Sequence, residues 1–222
     1  MREIVLDTET TGLDPADGDR IVEIACIELH NHLPTGKVFH RYVNPEREMS
    51  AAAEAVHGLG DDFLKRHAPF AAIATEFLDF VAEAAVVAHN ASFDLGFVNA
   101  ELKRLGLAPL AVAVVDTLEI ARKRFPGAPA SLDALCRRFA IDLSARDKHS
   151  AKLDCELLAQ VYLELVGGRQ SALDLGTLAA NAAGRAAADR PARPPRLFEP
   201  SADELASHAA LVAKLKAPIW QA

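Results

Sequence analysis

Ile4-Val5-Leu6-Asp7-Thr8-Glu9-Thr10-Thr11-Gly12 is the stretch that decides the fold: an apolar run, two carboxylates at alternate positions, then hydroxyls and a glycine. Residues i and i+2 of a strand point to the same face, so Asp7 and Glu9 are predicted to lie side by side at the end of a buried strand. Like charges this close repel each other, and in proteins a divalent cation bound between them usually offsets the repulsion. Because the chain has 31 Asp and Glu residues, a chance pair on the surface is the competing interpretation.

The composition limits the class of protein. Half of the 222 residues are hydrophobic, but no run approaches the roughly 20 apolar residues of a membrane span, and Met1 leads directly into a strand without room for a signal peptide. Three widely spaced cysteines without a C-x-x-C pair favour a reducing cytoplasm and argue against a zinc site. At a net charge of −7, contacts with nucleic-acid phosphates must come from metal ions or local basic clusters. We therefore expect a cytoplasmic protein without membrane association.

Hydrophobic periodicity predicts an α/β fold. Extended segments at 3–7, 20–29 and 38–43 indicate an antiparallel meander, with turns at 15–19 and at Leu33-Pro34-Thr35-Gly36. Helices and short buried strands then alternate: helices at 51–56, 71–84, around 97–105, 118–125, 132–139 and 150–166, and strands at 85–88 and 112–115. This order predicts a ribonuclease H-like mixed five-stranded sheet flanked by helices.

The composition changes near residue 168, which predicts three regions: a domain at 1–168, a linker at 169–196 and a tail at 197–222. The linker is rich in Ala, Arg, Pro and Gly without apolar periodicity, as in flexible connections. In the tail, Ser201 and Glu204 form a capping-box pattern ahead of apolar residues at helical spacing. So short a helix is marginal alone, and with Trp220 it is predicted to dock onto the domain or another protein.

Three residues far from the opening stretch could complete a site. Asp94 follows a predicted strand at the start of a helix, Asp154 lies on the long helix, and His149 precedes it by five residues. Taken alone, each has an ordinary interpretation as a first-turn or solvated residue. Together with Asp7 and Glu9, however, they supply four carboxylates, which match two Mg²⁺ or Mn²⁺ ions, and a histidine suited to general-base catalysis. This set predicts phosphodiester hydrolysis.

The motifs resemble those of a known family. Asp7-Thr8-Glu9-Thr10-Thr11-Gly12, the segment 89–94 (His-Asn-Ala-Ser-Phe-Asp) and the segment 149–154 (His-Ser-Ala-Lys-Leu-Asp) are similar, in order and spacing, to the three exonuclease motifs of the DEDD family, histidine subtype. Within that family the chain resembles the proofreading subunits of bacterial DNA polymerase III, over nearly its whole length. The segments 56–59, 131–136 and 162–168 support this resemblance.

The resemblance implies a role for each site residue. Asp7, Glu9, Asp94 and Asp154 would bind two divalent ions, Mg²⁺ or Mn²⁺, with Asp7 between them, and His149 would be the general base. The substrate would be a DNA 3′ end, from which a 5′-mononucleotide is released. The substrate-binding residues implied are Asp7, Thr8, Glu9, His57 and Asp154. In the resembled proteins an acidic residue stands five positions before the equivalent of His57, where this chain has Ala52, so one substrate contact differs.

The resemblance also implies protein partners. Residues 197–222 would bind the polymerase III alpha subunit. The segment 170–175 (Gln-Ser-Ala-Leu-Asp-Leu) resembles a sliding-clamp-binding peptide. Two other functions stay open: a ribonuclease of the same family, which would share the catalytic residues but need no such tail, and a non-catalytic adaptor, which would not need all five catalytic positions filled.

Overall fold

The computed structural model describes residues 1–144, 148–167 and 200–215 of the chain, which divides after Ala172 into two compact units. Within the described residues of the first unit lie five strands: β1 (Arg2–Thr10), β2 (Ile21–His30), β3 (Leu33–Tyr42), β4 (Ala85–Ala88) and β5 (Val114–Asp116). Its helices are α1 (Ala51–His57), α2 (Asp61–Leu64), α3 (Phe70–Val81), α4 (Ala91–Arg104), α5 (Thr117–Arg124), α6 (Leu132–Arg138) and α7 (Ala151–Leu165), with a 3₁₀ turn at Pro15–Asp17. The second unit contributes α8 (Ala202–Val212).

The five strands form one mixed sheet in the order β3-β2-β1-β4-β5. β1 is central, antiparallel to β2 and parallel to β4. Its residues Ile4, Val5 and Leu6 are fully buried, as expected for a strand covered on both faces. The predicted ribonuclease H-like α/β fold is confirmed.

The two faces of β1 pack against different helices. Ile4 and Leu6 belong to a core cluster with Phe77 of α3 and Phe97 of α4. Val5 belongs to the other cluster, which contains much of α7. Since side chains alternate along a strand, the odd positions continue the α7 face and the even positions continue the α4 face. The two carboxylates of the opening stretch therefore lie on the α7 side.

One predicted turn is wrong. Leu33-Pro34-Thr35-Gly36 belongs to strand β3, and the hairpin turns instead at Asn31 and His32, with φ of 51° and 67°. Positive φ at both central residues is the geometry of the tight turns that match the twist of a hairpin. Pro34 is tolerated because β3 is an edge strand of the sheet.

The remaining predicted elements appear within a few residues of their expected ends, and α2 is an addition. The serine cap of α6 is confirmed, since Ser131 accepts from the Ala134 amide, and α8 begins with the predicted capping box of Ser201 and Glu204. The predicted linker, the segment 170–175 and Trp220 lie outside the described residues. No helix in the described ranges is long and apolar enough to cross a bilayer.

Candidate active site

A cavity of about 550 Å³ opens at the carboxyl end of β1, bordered by α1 and by the first turns of α4 and α7. Every residue predicted to bind metal or substrate lines this cavity: Asp7, Thr8, Glu9, His57, Asp94, His149 and Asp154. The structure thus brings together residues that are far apart in the sequence, with Asp7 and Asp154 separated by 147 positions. The individually weak motifs are parts of one site.

Asp7 and Glu9 form the floor of the cavity. Strand β2 pairs with β1 along both residues, β4 pairs with β1 just before them, and Glu9 is only 9% exposed. The pKa of Asp7 is raised well above its usual value, first by burial and then by the neighbouring carboxylates of Asp94, Asp154 and Glu9. The charged form of Asp7 is therefore unfavourable in the metal-free protein.

Asp94 approaches from the other face of the sheet. It lies in the first turn of α4, is 3% exposed, and accepts a hydrogen bond from the Thr8 hydroxyl at 2.8 Å. Burial raises the pKa of Asp94 to about 7, although the hydrogen bonds from Thr8 oppose this shift. Because Thr8 is an even position of β1, its side chain joins the α4 side of the site to the carboxylates on the α7 side.

Asp116, which is not among the predicted site residues, orients the turn before Asp94. Asn90 has a left-handed conformation (φ 72°), which redirects the chain from β4 into α4. The carboxylate of Asp116, at the end of β5, accepts from the amides of Asn90 and Ala91 at 3.1 and 3.0 Å. Asp116 lies 26 and 25 residues after these partners, so no local pattern in the sequence indicates the contact.

Asp154 and His149 close the cavity on the α7 side. Asp154 is buried in the first turn of α7, whereas the side chain of His149 is 50% exposed, with Nδ1 3.4 Å from Asp154 Oδ2. Ligand atoms of Glu9, His149 and Asp154 all lie within 4.8 Å of one another. The histidine is therefore next to the carboxylates and still open to solvent and substrate.

Helix α1 forms the opposite wall. Ser50 caps α1 through the Ala53 amide and donates its hydroxyl to the Thr11 carbonyl at 2.8 Å, which joins α1 to the end of β1. The His149 amide donates to the Val56 carbonyl at 3.3 Å. Helix α1 thus contacts both the strand with the carboxylates and the segment with the histidine.

His57 ends α1 inside the cavity wall. It is 6% exposed, and its Nδ1 accepts from the Leu59 amide at 3.0 Å. Burial lowers its pKa, although the Thr10 backbone opposes the shift. A neutral imidazole is therefore favoured at the place where the sequence predicted a contact with substrate.

The cavity also has an apolar wall that the sequence did not predict. It is lined by Leu13, Ala52, Ala53, Val56 and Phe93. Leu13 is 85% exposed. A single large apolar residue after Gly12 was visible in the sequence, but its position beside the carboxylates depends on the path of the loop. The wall offers a surface against which a base or sugar can pack.

The donor set fits hard divalent cations. Asp7, Glu9, Asp94 and Asp154 provide oxygen ligands, the ligands that Mg²⁺ and Mn²⁺ prefer. Burial raises the pKa of both Asp7 and Asp94, and the neighbouring carboxylates raise the pKa of Asp7 further. A bound cation would offset both effects. The arrangement can bind divalent metal, hold a water near an imidazole and face an apolar wall.

Comparisons with known proteins agree with this geometry. The family model RNase_T, described as "Exonuclease", matches residues 4–162. The DNA polymerase III subunit epsilon of Rickettsia conorii is 44% identical over 222 residues, covering 97% of this chain and 96% of the relative. The Escherichia coli K12 subunit of the same name is 46% identical over 178 residues, covering 77% and 73%. The nuclease domain of 3′hExo, a DEDDh family member bound to rAMP, has the same fold, with TM-score 0.64, 18% identity and coverage of 74% and 91%.

Proposed function

We propose, because this chain belongs to the RNase_T exonuclease family and within it to the DNA polymerase III epsilon subunits, that it removes mispaired nucleotides from DNA 3′ ends during replication. One observation carries the proposal for the site: four carboxylates and a histidine from distant positions line a single cavity. The reaction would be hydrolysis of the terminal phosphodiester, releasing a 5′-mononucleotide.

Two divalent ions, Mg²⁺ or Mn²⁺, would be held by Asp7, Glu9, Asp94 and Asp154. Burial and then the charges of the other carboxylates raise the pKa of Asp7, and this residue would contribute to holding both ions. When bound, the ions supply Lewis-acid stabilisation of the developing negative charge and lower the pKa of a bound water. They also offset the repulsion among the carboxylates.

His149 would take the proton of the attacking water. Its Nδ1 lies 3.4 Å from Asp154 Oδ2, so the neutral tautomer with its proton on Nδ1 points that proton at a carboxylate and leaves Nε2 as the basic nitrogen. Its half-exposed position lets it meet water and substrate. A general base of this kind contributes about 10²–10⁴-fold to the rate.

The terminal nucleotide would contact the remaining cavity residues. His57 and the backbone at Thr8 are assigned to the 3′ end, and Leu13 and Phe93 would pack against base or sugar. The Thr8 hydroxyl donates to Asp94. We therefore assign the contact between Thr8 and substrate to the Thr8 backbone. The acidic side chains Asp7, Glu9 and Asp154 would reach the scissile phosphate only through metal.

The proposal is tested with purified protein on labelled single-stranded DNA, matched and mispaired primer-templates, and an RNA strand of equal length, with and without Mn²⁺. His149→Ala should lower the metal-dependent rate by about 10²–10⁴-fold. His208→Ala, on the exposed surface of α8, is the matched control and should leave the rate unchanged. Near wild-type activity of His149→Ala contradicts the catalytic assignment, and faster cleavage of RNA than DNA contradicts the substrate.

We also propose that residues 197–222 bind the polymerase alpha subunit and that 170–175 bind the sliding clamp. Within the tail, Leu205 and Leu211 of α8 are 55% and 59% exposed, as expected for a helix that presents apolar residues to a partner. Attachment to a polymerase would raise the local concentration of DNA ends, offsetting the weak affinity of a chain with net charge −7. This role places the protein in the cytoplasm, with the chromosome.

Truncation tests these contacts. A chain ending at residue 196 should keep its nuclease rate and lose co-purification with alpha. Replacing Gln170 and Leu173 with Ala should weaken clamp binding only. If the truncated chain binds alpha normally, the assignment of the tail is wrong.

A further inference from the structure

Ser150 stands between His149 and helix α7, as the N-cap residue of that helix. At other helices of the chain the N-cap serine accepts a hydrogen bond from an amide of its own first turn: Ser50, Ser131 and Ser201. Ser150 makes no such bond among the described residues, and its hydroxyl donates instead to Glu23 Oε1 at 3.0 Å. Since a serine cap stabilises a helix, the different use of this hydroxyl requires another explanation.

Glu23 is a buried carboxylate beside the site that has no assigned role in the reaction. It lies on β2, is 1% exposed, and is the cross-strand partner of Glu9, so both side chains point to the α7 face. Its Oε1 also lies 2.8 Å from Nε2 of His40, on β3. Two partners on one buried oxygen fix the position of the Glu23 side chain.

The backbone at His149 is therefore held from two sides. Its own amide donates to the Val56 carbonyl of α1, and the next residue is bonded through its side chain to β2 of the central sheet. The preceding residues 142–144 are in a loop, and 145–147 lie outside the described ranges. The Ser150–Glu23 bond is thus one link between the segment with the histidine and the central sheet.

We propose that Glu23 and Ser150 are positioning residues that set the place of the His149 imidazole relative to the carboxylates. The inference rests on the proposed role of His149 as the general base. A base must lie within hydrogen-bond reach of the proton it takes, and a displacement of about 1 Å can cost as much as 10²-fold in rate. The bond thus acts on the catalytic step, and its loss in Ser150→Ala, which removes no charge, should leave the binding of metal and substrate unchanged.

Steady-state hydrolysis of a labelled oligonucleotide tests the proposal, with kcat, KM and the Mn²⁺ dependence measured for each variant. Ser150→Ala should lower kcat by about tenfold and change KM and the Mn²⁺ midpoint by less than about twofold. Ser150→Thr keeps the hydroxyl and should restore most of the rate. Glu23→Ala should match Ser150→Ala, Glu23→Gln should retain most activity through its remaining acceptor oxygen, and the double alanine variant should be no slower than either single variant.

Glu28 provides the matched control. It is on the same strand, 5% exposed, and bonded to Arg2 and Thr35 away from the cavity. Glu28→Ala should lower the stability but leave kcat unchanged, which separates a general folding defect from positioning.

Three results would overturn the proposal: Ser150→Ala within twofold of the wild-type kcat, additive losses in the double variant, or an equal loss in Glu28→Ala. His149→Ala is measured in parallel. If it retains activity, the proposed function itself fails. If it is inactive while Ser150→Ala is normal, only the positioning role is wrong.

Discussion

The two ends of strand β1 bury carboxylates on the same face, beneath the same helix, in opposite surroundings. At the first end, Glu3 is fully buried and accepts from the Tyr162 hydroxyl of α7 at 2.7 Å and from the His32 amide at 3.2 Å. At the other end, burial raises the pKa of Asp7, and the charges of the nearby Asp94, Asp154 and Glu9 raise it further. Hydrogen-bond donors make the first carboxylate structural, while the second belongs to a group of like charges that favours a bound cation.

The largest expected effect comes from removing charge at the second end. Asp7→Asn should lower exonuclease activity by about 10³-fold, because roughly 4 kcal/mol of metal-dependent stabilisation is lost. In the metal-free protein the same change should not lower the melting temperature, since it removes a repelling charge. Glu3→Gln is the control at the first end and should keep activity within about twofold. If the Asp7→Asn enzyme keeps its normal exonuclease activity, the assignment of a catalytic role to the second end of β1 is wrong.

The two ends should also differ in their response to pH and metal. A carboxyl whose folded pKa is raised binds more protons than in the unfolded chain, so its contribution to stability is present below its ordinary pKa and is lost as pH rises through the folded value. For Asp94 the window runs from the ordinary value of 3.8 to about 7, and Asp7 acts in the same direction. In EDTA the melting temperature should fall across this window, and Mn²⁺ should raise it more at pH 8 than at pH 5.

Asp94→Asn is the control for the pH experiment. Its amide oxygen can still accept from Thr8, but it no longer titrates, so the fall in melting temperature across the window should become shallower. An equal fall in the variant and the wild-type protein would contradict the assignment to Asp94.

Much of this comparison could be predicted from the sequence. The buried run Ile4–Leu6 and alternation along the strand correctly predicted that Asp7 and Glu9 share a face at the centre of an α/β sheet. The sequence placed Asp94 at the start of a helix and Asp154 on the long helix, and the structure has both in first helical turns. Local patterns succeed here because each depends on backbone periodicity and capping within a few residues.

The rest depended on contacts between distant segments. The Glu3–Tyr162 bond joins residues 159 apart, and the Ser150–Glu23 bond joins residues 127 apart. Such pairs leave no local pattern in one sequence. The turn at Leu33-Pro34-Thr35-Gly36 was predicted wrongly because Pro and Gly usually indicate turns, and only the edge position of β3 makes them compatible with a strand.

A smaller effect is expected from the hydroxyl at the first end. Tyr162→Phe removes the donor to Glu3 and should lower the free energy of unfolding by about 1–3 kcal/mol, measured by urea denaturation. Exonuclease activity should stay unchanged, because the bond lies at the opposite end of β1 from the cavity. Phe125→Leu, a core change without a buried carboxylate partner, provides a comparison for lost packing alone. A fall in kcat in Tyr162→Phe would show that the two ends are coupled.

The smallest expected effect concerns the Thr8 hydroxyl, which donates a hydrogen bond at the second end. The Thr8 hydroxyl stabilises ionised Asp94, so Thr8→Val should raise the pKa of that carboxyl further and weaken metal binding. At low Mn²⁺ the rate at pH 7 should fall by about tenfold, corresponding to one hydrogen bond to a charged group. The loss should shrink at pH 8.5 and at saturating Mn²⁺, because both favour the ionised carboxylate. Thr8→Ser keeps the donor and should behave like the wild-type protein. A loss that is independent of pH and metal would mean that Thr8 acts on the substrate and not on Asp94.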